Sequence, residues 1–227
     1  MKKIKLKLNI DWKSKFIDLL IVIIGITIAF QLNNLNESNK SVAKEKDYLE
    51  SFYEENINNE KNLSSALEFS ITTKKDIDTL KQILLSKNYE DIRITNLSAS
   101  MMAMSDFHPS LTTMENITAS GEFELIRDIE FRKSIIDTYN SYNTTSQFEV
   151  LLTDYTSQYL TPFFFDNVRF SDFTPLAENF IEKPRFENIV LGYDALISQK
   201  INGYQASLKK VNQLNQILVT NYKMKKN

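Results

Sequence analysis

The 227-residue chain has one histidine and no cysteine. A metal centre or a Ser-His-Asp triad would therefore have to be built on His108. His108 is followed by Pro109 and has no acid-rich cluster around it, so it reads as a loop residue. Without cysteine there are neither disulfides nor thiolate metal sites. No Gly-rich phosphate loop, HExxH or GxSxG motif is present, and no paired carboxylates stand out. The adjacent Glu54 and Glu55 read as part of a solvated helix face. Four Asn-x-Ser/Thr triplets, starting at Asn62, Asn96, Asn116 and Asn143, are what chance gives in an Asn-rich chain. These residues predict no enzyme, no cofactor and no metal site.

The polar residues with the clearest spacing sit inside an apolar run. Between Phe16 and Leu32 the interruptions are Asp18, Gly25, Thr27 and Gln31. An acid at membrane depth is costly and often functional. Asp18, however, stands near the edge, where Lys13, Lys15 or lipid headgroups can reach it. Thr27, Gln31 and Asn34 fall at i, i+4 and i+7 and share a helix face. Gly25 and Ala29 form a small-residue strip that lets a second helix approach closely. Asn33 and Asn34 lie at the exit of the run. This pattern predicts self-association or assembly with another membrane protein.

A second concentration is aromatic. Residues 162–184 hold Phe163, Phe164, Phe165, Phe170, Phe173 and Phe180, which predicts a segment packed over the helices or an aromatic pocket.

These residues have to be positioned by helices. Gly and Pro number four each, which argues against a turn-rich β domain. The apolar run LLIVIIGITIAF has no polar face, so it predicts a transmembrane helix over 16–36 with the bilayer as its first partner. The small-x-small triplet that a signal peptidase would use lies far downstream, so an uncleaved anchor is expected. Lysines crowd the tail 1–15, whereas acids are mixed with lysines beyond residue 36. That bias puts the tail in the cytoplasm and residues 37–227 in the periplasm, with Trp12 at the interface. A net charge of −2 gives no basic surface for nucleic acid.

The expected fold is all-α, one transmembrane helix followed by an antiparallel bundle of three or four main helices. The first outer helix runs over 41–86 and can break at 56–62, where its apolar stripe thins to Asn and Glu. Thr95 or Asn96 is expected to cap a short helix, and Thr112 with Glu115 to form a capping box. Gly121 is expected to end the helix begun there. Asp128 is expected to cap a helix that runs to Leu160, with Tyr155 and Tyr159 on its buried face, and that stops at Pro162. The last helix covers 186–222.

Asp18, Gly25, Ala29, Gln31, Asn33, Asn34, Asn36 and Glu37 resemble the start of an uncharacterised family of bacterial single-pass membrane proteins common in Bacteroidota. Asp18 replaces the usual Glu, and Leu35 the usual Trp. Further on, Ser120, Gly121, Leu125, Ile126, Arg127, Asp128 and Arg132 fit the family's turn and Leu-Ile-x-Asp-x-x-x-Arg pattern. The resemblance implies a bacterial inner-membrane location and no assigned activity. The leading expectation is a membrane-anchored interaction or scaffold module. Two alternatives stay open: a homo-oligomeric channel with Asp18, Thr27 and Gln31 around a shared axis, and a periplasmic ligand sensor using the phenylalanine-rich segment.

Overall fold

In the computed structural model, residues 12–172 and 174–224 are described, apart from the side chain of Ser14. The first eleven residues of the basic tail and Phe173 lie outside the described residues. Among the described residues six α-helices follow one another: α1 (Trp12–Leu85), α2 (Ile94–Ala99), α3 (Thr112–Ala119), α4 (Ile129–Tyr155), α5 (Thr161–Asn167) and α6 (Pro184–Tyr222). Among the described residues there is no strand, only an isolated antiparallel bridge between Val168 and Pro175. The all-α class expected from the sequence is the class observed.

The chain divides into two compact units, Met1–Asp47 and Tyr48–Asn227. In the first, α1 is long and apolar enough to cross a membrane, and none of its most apolar window is buried. Ile21, Ile24, Ile28 and Leu32 are all exposed. In water such a surface would be strongly unfavourable, at about 25 cal/mol per Å² of apolar area.

The second unit has two apolar clusters on the same long helices. One gathers Phe52, Leu63, Tyr139, Tyr142, Tyr204 and Leu214; the other gathers Ile77, Leu80, Leu152, Phe163, Phe186 and Tyr193. Between them along the chain, α1 buries Ser70 and Thr73, α4 buries Thr145 and Glu149, and α6 buries Lys200. A polar layer therefore separates two apolar ones. Helices α4 and α6 pack along most of their length. Tyr155 Oη donates to Ile189 O at 3.0 Å, Ser207 Oγ to Ser141 O at 3.1 Å and Lys210 Nζ to Asp137 O at 3.2 Å. Ascending positions on α4 thus meet descending positions on α6. Glycine makes the approach possible, since a Cβ at Gly203 would fall 2.6 Å from the Phe148 ring.

Several sequence expectations are corrected. The stripe of α1 does not break at 56–62; the helix is continuous there, because Asn56 and Asn59 are buried and hydrogen-bonded. Thr95 and Asn96 lie inside α2, whose first flanking residue is Arg93, without a side-chain cap. Thr112 likewise lies inside α3, after Leu111, and makes no capping box. Pro162 does not stop α4. A π-turn over Thr156–Leu160 widens the helix and leads into α5, which accepts Pro162 in its first turn. The wider turn relieves the clash a proline ring makes with the carbonyl four residues back. The same turn shifts the helix register, and Tyr159 is exposed rather than buried. Two expectations hold as made: Asp128 Oδ1 accepts from Phe131 N at 3.0 Å, and Gly121 takes a left-handed φ of 70° just past α3.

Candidate functional site

The polar residues of the apolar stretch are all exposed on α1. Thr27 Oγ1 already donates to Ile23 O at 2.8 Å, so this hydroxyl needs no neighbouring helix. Gly25 has nothing within 4 Å of where a Cβ would stand. At about 100° per residue, Thr27, Gln31 and Asn34 share one face. Asp18, Gly25, Ala29 and Asn36 share the opposite one, and Asn33 falls between. On an ideal straight helix Asp18 therefore points away from Thr27 and Gln31.

In the second unit the most constrained polar groups surround the segment 105–113. Glu54 is exposed, as expected, but Glu55 is buried. One Glu55 oxygen, Oε2, accepts from Ser110 Oγ at 3.0 Å, Thr113 N at 2.9 Å and Thr113 Oγ1 at 3.1 Å. The other, Oε1, accepts from the Tyr139 hydroxyl. Glu55 thus serves the first turn of α3 from a distant helix, a place where a local capping side chain would otherwise stand. A negative group there also suits the helix dipole. Asn59 adds two bonds, donating to Ser110 O at 2.9 Å and accepting from Ser110 N at 2.8 Å.

At the other end of the segment Glu149 is also buried, accepting from Phe107 N at 2.8 Å and from the Tyr204 hydroxyl. Lys200, 3% exposed, donates to Asp106 Oδ1 at 2.5 Å and Ser105 O at 3.3 Å. Burial, reinforced by the carboxylate partners, pushes the Tyr139 and Tyr204 hydroxyls far above the ordinary phenol value. Both remain protonated donors across the physiological range. His108, between these two anchors, is exposed.

Asn56 knits the helices together. Its amide donates to Val211 O at 3.0 Å and Asn215 Oδ1 at 2.8 Å, and its carbonyl accepts from Tyr142 Oη at 3.1 Å. Every one of these groups is a structural clamp. Among the described residues no three His, Cys, Asp or Glu side chains are grouped to hold a metal ion.

Sequence reasoning placed Glu55 in solvent and passed over Glu149 and Lys200. The available signal was register. Phe52, Glu55, Asn59, Leu63, Ala66, Ser70, Thr73, Ile77 and Leu80 continue one three-to-four spacing. Polar residues that keep the beat of an apolar stripe are buried with it.

The phenylalanines divide. Phe163 and Phe164 are buried, with rings 5.5 Å (stacked) and 6.1 Å (edge-on) from Phe186, and Phe180 is buried beside them. Phe165 and Phe170 are 64% and 40% exposed. Phe164, Phe170 and Phe180 line a cavity, Phe163 packs in the core, and Phe165 faces out. Phe165 thus stands outside both the core and the cavity, against the expectation of a segment packed over the helices.

The family model described as "Serine acetyltransferase, N-terminal" matches residues 32–113. The matched stretch includes Glu55, Asn56 and Asn59, ends within the clamped segment, and is less than half of the chain. No curated protein and no solved structure matches the chain. The chain is therefore similar over part of its length to that amino-terminal domain, which points only weakly toward an enzyme family.

Proposed function

We propose that this protein is a membrane-anchored helical interaction module of the bacterial inner membrane, a member of the Bacteroidota single-pass family it resembles. Its tail is cytoplasmic, and residues 37–227 form a periplasmic bundle of three main helices. The reading rests on one observation: an apolar helical stretch with none of its most apolar window buried, whose two polar or small-residue faces point in opposite directions. The face carrying Gly25 and Ala29 serves self-association, because small side chains let backbones approach. The Thr27, Gln31 and Asn34 face is left for another membrane protein.

The reading also treats the chain as a binding module rather than a catalyst. Against it stands the similarity to a serine acetyltransferase domain, and acetylation of serine by the purified protein, given an acetyl donor, would overturn it.

The absence of cysteine gives a clean test of self-association. Single replacements Gly25→Cys, Ala29→Cys, Thr27→Cys and Gln31→Cys are oxidised in native membranes. Disulfide dimers are expected at Gly25 and Ala29 and not at Thr27 and Gln31. Equal yields at all four positions, or none, would remove the proposed face. Protease protection in spheroplasts checks orientation, with the bundle expected to be cut from outside.

A further inference from the structure

Buried hydroxyls in helices usually bond a carbonyl one turn back. Ser70 does so to Ala66, Thr145 to Tyr142 and Thr156 to Leu152. Ser98 in α2 is as deeply buried, at 3% exposure, yet its Oγ has no hydrogen-bond partner among the described residues. An unsatisfied buried hydroxyl is destabilising, so this position asks for an explanation.

Ser98 lines a cavity of about 100 Å³, partly open to solvent. Its walls come from α2, α5, the start of α6 and the segment between them, and include Ile94, Met102, Phe164, Phe170, Phe180 and Phe186. No charged side chain lines it. Such walls have nothing to offer an ion, which would lose its hydration without compensation. They suit an apolar body, and engineered apolar cavities of about 150 Å³ take up benzene. The polar side chains among these walls are Ser98, which is buried, and Thr95, which is exposed. A few polar groups among apolar walls are the usual way a small-molecule site sets orientation.

We propose that this cavity binds a small uncharged molecule, a single ring or short aliphatic body bearing one oxygen, with that oxygen hydrogen-bonded to Ser98 Oγ once the hydroxyl rotates toward the cavity. The site is independent of the self-association reading, since it uses none of the residues of the apolar stretch.

Phenol, benzene and benzoate serve as probes. Full-length protein in lipid nanodiscs is titrated with each and followed by saturation-transfer NMR, with empty nanodiscs as the reference. Phenol and benzene are expected to bind saturably and benzoate not to bind. Ser98→Ala keeps the shape and removes the hydroxyl, so phenol should weaken about fivefold, one ordinary hydrogen bond, while benzene is unchanged. Ala99→Leu, at an exposed wall position, should weaken both at least tenfold without altering the melting curve. The proposal fails if phenol shows no saturable binding or if its binding survives Ala99→Leu. It also fails if Ser98→Ala lowers phenol and benzene equally. Melting gives a second check: Ser98→Ala should leave Tm unchanged or raise it, and a fall of several degrees would mean the hydroxyl already has a partner.

Discussion

Between Phe16 and Leu35 the chain turns isoleucine, leucine and phenylalanine outward on every side; between Leu49 and Leu218 it takes carboxylates, amides and an ammonium inward. Both regions depart from the rule of apolar inside and polar outside, in opposite directions. They are tolerated for different reasons. The outward apolar surface is unfavourable in water, and the helix is long and apolar enough to cross a membrane, where that surface would be favourable. The inward polar groups stay in water's absence because each has fixed partners: Glu55 has four bonds and Asn56 three. An apolar helix needs only the right medium, whereas a buried carboxylate needs particular atoms at particular distances. The first is tolerant of sequence change, the second is not.

The strongest test of that contrast removes Glu55. Glu55→Ala leaves the Thr113 amide, the Ser110 and Thr113 hydroxyls and the Tyr139 hydroxyl without their acceptor. A loss of about 3–5 kcal/mol is expected, read by urea denaturation followed by circular dichroism. Segment 105–113 should also become a site of proteolytic cleavage. Glu55→Gln, which keeps one acceptor oxygen, should cost less than half as much. Equal losses for the two would show that one remaining acceptor oxygen does not hold the segment and that side-chain volume contributes little.

The complementary change puts a charge where the chain is apolar. Ile24→Asp, at the middle of the exposed stretch, should disfavour membrane insertion by about 2.5–3.5 kcal/mol. Carbonate extraction of membranes measures it, with the variant expected to shift toward the soluble or degraded fraction. Unchanged extraction would mean that this face meets a polar partner rather than lipid, and the contrast between the two regions would weaken.

A smaller effect is expected where charges are only half withdrawn from water. Lys74 and Lys81 share Asp78 and Asp194 at 2.6–3.0 Å, tying α1 to α6. Burial raises the Asp194 carboxyl, but hydrogen bonds from Lys81 and Lys74 outweigh it and hold the pKa below its ordinary 3.8. Asp78 is lowered by the same balance. Burial lowers Lys74 and is outweighed by Asp78 and Asp194, while for Lys81 the hydrogen bond it donates to Asp194 leads, so both ammonium groups sit above 10.5. The depressed carboxylates stabilise the fold above their unfolded pKa, and this is lost as pH falls through the folded one. The raised lysines stabilise it below their unfolded pKa, and this is lost as pH rises through the folded one. Asp194→Asn should therefore cost about 1 kcal/mol near neutrality. The difference from wild type should be flat from roughly pH 5 to 9.5 and close below pH 3. Melting curves across pH check it; a gap that persists at pH 2 would assign the effect to packing instead.

Some features were legible without coordinates because they rest on local rules. Helix against strand follows from periodicity and scarce glycine; Asp128 and Gly121 end helices through bonds and φ values a few residues long; an apolar run of spanning length declares its own solvent. Other features were decided only in three dimensions. Glu55 beside Glu54 looks like one more surface acid until Tyr139, Ser110 and Thr113 are brought around it from later in the chain. Pro162 looks like a stop until the π-turn before it makes room. Phe164 and Phe165 are neighbours of one type, yet one is buried and the other is not. The sequence by itself determined the class of fold, the apolar helix and the helix ends at Gly121 and Asp128, since these depend on short-range sterics and solvent preference. Only tertiary structure decided which polar groups are buried and which phenylalanines surround the Ser98 cavity. Burial and hydrogen-bond satisfaction belong to pairs of residues far apart in the chain, and no single residue type carries them.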